Sequence, residues 1–145
     1  MKLFQIEEPD GSPADSDAPG AAVGIDVSGP QAEVAVAVGG NAVVLSDREG
    51  FELNLTVPSS KAAIAEWQSL IERARLRAER VLARPVTHAV IVAHEGAARR
   101  VQSGAAEARL ILLRILRPEA ISGEERALTA AMLAEDLAPR IAAPE

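Results

Sequence analysis

A chain of 145 residues and 15.2 kDa fits one domain, and 48% apolar with 25% charged residues supplies both a core and an ordinary soluble surface. The absence of cysteine removes disulfides, thiolate metal sites and cysteine nucleophiles together. Fifteen basic against 21 acidic residues, a net charge of −6, oppose a generic nucleic-acid binder.

The first twenty residues hold one base and five acids among several prolines and glycines, a composition that cannot offset the entropy of ordering. We expect residues 1–20 to be a flexible acidic leader and residues 21–145 a single domain. Glu7, Glu8 and Asp10 fall where a signal peptide needs an apolar run, and no run reaches the roughly 18 residues of a membrane span. The expected compartment is the cytoplasm. Residues 61–120 carry eleven bases and six acids, so a basic middle separates acidic ends.

Val23, Ile25 and Val27 alternate and stop at Ser28-Gly29-Pro30, which predicts a strand and a turn. Val34, Val36 and Val38 form the next strand. Gly39-Gly40-Asn41 signals a hairpin, and Ala42–Leu45 returns. Phe51, Leu53, Leu55 and Val57 alternate with polar partners and predict a further strand ended by Pro58. Ser59 and Ser60 are placed to cap a long helix whose apolar face is Ile64, Trp67, Leu70, Ile71, Ala74, Ala78, Val81 and Leu82.

Beyond Pro85, the apolar stretch 86–93 suits a central strand buried on both faces. A short alanine-rich helix over 97–108 and a second buried strand over 109–116 follow. The spacing Ser122-Gly123-Glu124-Glu125 is that of a capping box, so a last helix should start there and reach about Ala138. Hairpin strands followed by helix, strand, helix, strand, helix predict an α/β fold of ribonuclease-H-like layout. Its mixed sheet has antiparallel hairpin strands and then parallel strands, flanked by helices.

Gly24-Ile25-Asp26-Val27, the run Val34–Leu45 and Glu49-Gly50-Phe51 resemble the opening of DnaK-type heat-shock chaperones, with their Gly-Ile-Asp-Leu-Gly strand, glycine hairpin and valine-rich return. The stretch from Pro85 to Val92 is similar to that family's Pro-Val-Thr-x-Ala-Val-Ile-Thr-Val strand. Arg99-Arg100-Val101-Gln102, Ala105-Ala106 and the stretch from Leu113 to Ala120 are similar to the helix and strand that follow it. The resemblance is collinear over about residues 22–121. It implies the first core subdomain of an actin-like ATPase, with Asp26, Ser28 and Gly29 as the nucleotide-binding positions, Asp26 as the metal position and ATP or ADP with magnesium as the ligand such a site takes, although no cofactor is expected for this chain.

The departures from the family bear on chemistry. Its Gly-Thr-Thr-Asn phosphate loop is replaced by Ser28-Gly29-Pro30-Gln31, where Pro30 lacks an amide donor. The lobe carrying the family's catalytic lysine is replaced by a direct Val57–Pro58 connection. Arg117 stands where the family has its glutamate before proline, with Glu119 on the other side of Pro118. The second half of the ATPase would lie beyond residue 145. A clamp that encloses nucleotide between two lobes is therefore not expected from this chain, and neither is efficient hydrolysis by a monomer.

The resulting expectation is a non-hydrolysing interaction or chaperone-related module with a protein partner or self-association. Its docking face would be the basic row Arg73, Arg77, Arg80 and Arg84, which recurs at spacings of four, three and four, or else the face left by the missing lobe. Glu72 and Glu79 interleave with that row, so a solvated face with intrahelical pairing is the competing reading. One alternative is a nucleotide- and magnesium-binding half-ATPase completed by a second chain. Another is a metal-dependent ribonuclease-H-like nuclease, which needs carboxylates converging on Asp26; Glu119 and Glu135 or Asp136 are the candidates. The ordinary role for Asp26 is to cap the turn at Ser28. His94 and Glu95 follow the central strand at its carboxyl end, where open α/β sheets hold ligands. With only His88 as a second histidine, no histidine metal cluster is available.

Overall fold

Valine alternation pairs the first strands as the sequence predicts. In the computed structural model, which describes residues 21–39, 41–45, 55–121 and 125–138, β1 (Ala21–Asp26), β2 (Glu33–Val38) and β3 (Asn41–Leu45) are antiparallel neighbours in succession. Gly39 turns the β2–β3 hairpin at φ +61°, in the left-handed region that favours glycine. There follow α1 (Ile64–Leu82), β4 (Val86–Val92), α2 (Glu95–Glu107), β5 (Ile111–Leu116), a 3₁₀ turn (Pro118–Ala120) and α3 (Arg126–Leu137). β4 lies parallel to β1 and β5 parallel to β4, so the strand order is β3-β2-β1-β4-β5. Among the described residues the protein is thus α/β, a mixed five-stranded sheet flanked by three helices, consistent with the ribonuclease-H-like half-domain expected. No helix among them is long and apolar enough to cross a membrane.

Because side chains alternate across a strand, β1 feeds two separate cores. Val23 and Ile25 join Val34, Val36 and Ile91 beneath α1 and α2, against Trp67, Leu70, Ile71 and Val101. On the opposite face Ala35 and Ala37 meet Ala127 and Ala131, and Val90 and Val92 meet Ala130 and Ala134, all on α3. Gly24 lies directly under α3, with the backbone of Ala127, Ala130 and Ala131 where its Cβ would be.

Several elements depart from expectation. Residues 51–54 of the further strand lie outside the described residues. Its end survives as a bridge between Gln31 and Thr56, flanked by the bonds Ala32 N–H to Leu55 O and Val57 N–H to Pro30 O. Ser59 and Ser60 do not cap α1, whose N-cap is Ala63 without a side-chain bond. Ser59 instead closes a turn, accepting from the Lys61 amide on Oγ and from the Ala62 amide on its carbonyl. The chain needs that extra turn before its apolar face meets the sheet, and Ile64, at the first helical position, is left 41% exposed.

β5 is not buried on both faces. It is an edge strand, and Ile111 is 56% exposed, because no described strand lies beyond it. Leucine and isoleucine content cannot distinguish a central strand from an apolar edge. α3 starts at Arg126 rather than Ser122; Glu125 makes no side-chain cap, and residues 122–124 lie outside the described residues.

Candidate functional site at the carboxyl ends of β1 and β4

The parallel pairing of β1 with β4 brings the loops that leave both strands to one margin of the sheet. Asp26 ends β1 and is buried, with 7% of its surface exposed. Its Oδ1 accepts the Ser28 amide at 2.9 Å and the Ser28 hydroxyl at 2.6 Å. This is an Asx turn in which the side chain replaces the backbone acceptor, the ordinary role named above for this residue. His94, just beyond β4 and the N-cap of α2, places Nε2 2.9 Å from the Ser28 carbonyl. A carbonyl only accepts, so Nε2 carries the proton and a neutral ring leaves Nδ1 as an acceptor.

The margin is extended by neighbouring contacts. Glu95 faces Arg117, which follows β5, at 3.7 Å, with 77% and 65% of their side chains exposed. An ion pair that open contributes at most about 1 kcal/mol. Arg100 donates to the Ser60 carbonyl at 3.0 Å, tying α2 to the turn before α1. One acid missed by sequence reasoning also lies here: Glu33 is in register with Asp26 across the β1–β2 ladder, so both carboxylates share a face. The hairpin register could have revealed this, but spacing along the chain does not.

The arrangement does not fit a phosphate loop. The N–H and O–H of Ser28, the donors that the resemblance aims at phosphate, both turn inward to Asp26. Pro30 supplies no donor, which leaves Gly29 with a backbone amide only. The carboxylates proposed to join Asp26 also disperse. Glu119 is exposed in the turn after β5, two strands away, or about 10 Å laterally at ordinary strand spacing. Glu135 accepts the Gly39 amide at 2.6 Å. Gly39 follows the end of β2 that antiparallel pairing carries away from Asp26, so Glu135 and its exposed neighbour Asp136 belong to the opposite end of the sheet. Among the described residues, no group of three or more His, Asp or Glu side chains is placed to hold a metal ion.

The basic helix is also engaged. Arg73 donates to Ser69 Oγ at 3.0 Å, and the unforeseen Arg75 approaches Glu79 at 3.9 Å while donating to the Ala108 carbonyl. Arg77, Arg80 and Arg84 each have interactions as well. Every arginine of the row from Arg73 to Arg84 thus takes part in at least one interaction, that of Arg73 being with the Ser69 hydroxyl. His88 is buried in β4, with Nδ1 2.7 Å from Thr87 Oγ1. It is remote from His94 along the strand, and its pKa is lowered from 6.5 by the desolvation that accompanies burial. In comparison with known proteins, no family model matches the chain and no curated protein matches it significantly.

Proposed function

We propose that this chain is a non-hydrolysing, DnaK-like ATPase-subdomain protein that works as a protein-interaction or chaperone-related module. The observation that carries the reading is the state of the sheet edges. Among the described residues the two outermost strands present large apolar side chains to solvent: Val43 of β3 is 55% exposed and Ile111 of β5 is 56% exposed. Open edges with apolar side chains are where proteins add strands or partners. The inward-turned donors of Ser28 favour this reading over the nucleotide-binding alternative.

Two measurements test it. Calorimetric titration with ATP and ADP, with and without magnesium, should give no heat of binding. Micromolar affinity that disappears in Asp26→Asn would replace this reading with the half-ATPase. Light scattering combined with affinity capture should find self-association or a retained protein that Val43→Lys or Ile111→Lys weakens. A monomer that retains nothing would sink the interaction reading.

A further inference from the structure

Arg109, just before β5, and Arg114, within it, line an apolar groove, and no described hydrogen bond or ion pair engages either guanidinium. A shallow groove of ≈ 570 Å³ runs along β5, with Gln102 and Ala106 of α2 on one side and the strand itself as its floor. Arg109 and Arg114 stand near its two ends, exposed, and neither forms an ion pair with a described residue. Among the described residues no acid lines the groove. The ladder shifts register by one between Ala89 and Val90, so Leu113 is the extra residue of a β-bulge immediately before Arg114. Such a bulge re-aims the side chains around it.

We propose that the free edge of β5 takes an extended peptide bearing two carboxylates as a sixth strand, and this deepens the interaction reading above. Main-chain groups on the outer edge of β5 would supply the ladder, and the half-buried Leu112 and Ile115 the apolar floor. Arg109, in the turn just before β5, and Arg114, within the strand, would each meet a carboxylate. Side chains of an extended strand share a face at even spacings, and with the bulge residue Leu113 left out of the count the partner that fits has acids four positions apart with β-formers between them. A second copy of β5 is the wrong occupant: antiparallel pairing would bring like-charged arginines together, which destabilises cross-strand pairs. The bulge and the charge that discourage self-pairing also make the edge selective for an acidic strand.

The test uses the full chain and the peptide fluorescein-Thr-Glu-Val-Thr-Val-Glu-Thr-amide, labelled at its N-terminus and read by anisotropy at about 50 mM salt. Saturable binding is expected, weakened about tenfold or more when both peptide acids are replaced by lysine and in the Arg109→Glu, Arg114→Glu double variant. Both positions are exposed, and a thermal melt verifies that the variant is folded. Amide exchange at Leu112–Ile115 should slow when the peptide is added. Equal binding of the acidic and lysine peptides, or no binding of the acidic one up to about millimolar concentration, overturns the proposal. Protection on β3 instead of β5 also overturns it while leaving the interaction reading intact. Failure of capture and self-association removes that broader reading.

Discussion

The two faces of this sheet are built by opposite means. Beneath α1 and α2 the core is made of bulk, with Trp67, Leu70 and Ile71 fully buried against the valines and isoleucines of β1, β2 and β4. Beneath α3 it is made of closeness: one glycine and a row of alanines bring the helix backbone almost onto the strand. A bulky face draws its stability from buried area and forgives small shifts. A close-packed face buries little per side chain and depends on one exact separation. The difference teaches that the same strand, β1, is constrained by volume at Val23 and Ile25, where a smaller side chain leaves a cavity, and by backbone contact at Gly24, where no side chain can be added.

Gly24→Ala should break the comparison hardest. The added methyl would meet the Ala131 amide nitrogen and would lie 2.6 Å from the Ala127 carbonyl oxygen, backbone atoms that move only with the whole helix. We expect a loss of more than about 3 kcal/mol, above the usual cost of overpacking, with α3 lifting off the sheet. Hydrogen exchange resolved by segment checks this. α3 amides should exchange fast while emission from the chain's single tryptophan, Trp67, stays blue-shifted under the intact opposite face. Ordinary protection of α3 in the variant would refute the close-packing account.

The bulky face should lose about 3–5 kcal/mol in Trp67→Ala through lost transfer energy and a cavity, measured by chemical denaturation. Trp67→Phe should cost less than that, because the buried indole Nε1 has no hydrogen-bond partner and its removal relieves a desolvated donor. α3 protection should persist in both variants, the mirror image of the glycine result.

Much of the bulky face was legible in the sequence, because periodicity reports side chains that need burying. Trp67, Leu70, Ile71, Ala74 and Ala78 announce their helix face, and Val23 and Ile25 their strand face. The alanine face was legible only as composition; Gly24 stood out as part of a family-like Gly-Ile-Asp string, and nothing in one dimension says which helix presses on it. The edge position of β5 was hidden for a related reason, since strand order depends on pairing and not on apolar content. At the candidate site, Asp26 and Ser28 were found by adjacency, as was His94 by its place after β4. The bond from His94 to the Ser28 carbonyl and the register of Glu33 with Asp26 come from tertiary pairing, so local spacing could not contain them.

His88 sharpens the contrast by placing a titrating ring on the thin side. It is in register with Ala22, which packs with the α3 cluster, and burial lowers its pKa below 6.5. Above pH 6.5 the ring is neutral in both folded and unfolded chains, and its contribution to stability is fully present. As pH falls below 6.5 the unfolded chain binds a proton first, so stability drops until the lower folded pKa is reached and then levels off. Denaturant midpoints at a series of pH values should show this decline in the wild type and a smaller one in His88→Gln. Identical slopes would mean that the buried ring is not what couples folding to pH here.

The smallest effects belong to the ends of the two helices on the bulky face. Ala83, after α1, sits at φ +57°, and Arg109, after α2, at φ +61°, both in the left-handed conformation where glycine is the usual residue. The Arg109 amide bonds to the Ala106 carbonyl and the Leu110 amide to the Ala105 carbonyl, a Schellman end whose Cβ strain remains unrelieved. Replacing either residue with glycine removes that strain, of about 1 kcal/mol, but adds freedom to the unfolded chain, so the net gain should be about 0.5 kcal/mol. Thermal melts of Ala83→Gly and Arg109→Gly should therefore shift upward together by roughly 1–2 °C. The two then part in function: Ala83→Gly leaves acidic-peptide binding unchanged, whereas Arg109→Gly gains stability and loses affinity. The proposed role of the Arg109 guanidinium lies with an acidic partner rather than with a described contact, and equal peptide affinity in the two variants would remove it.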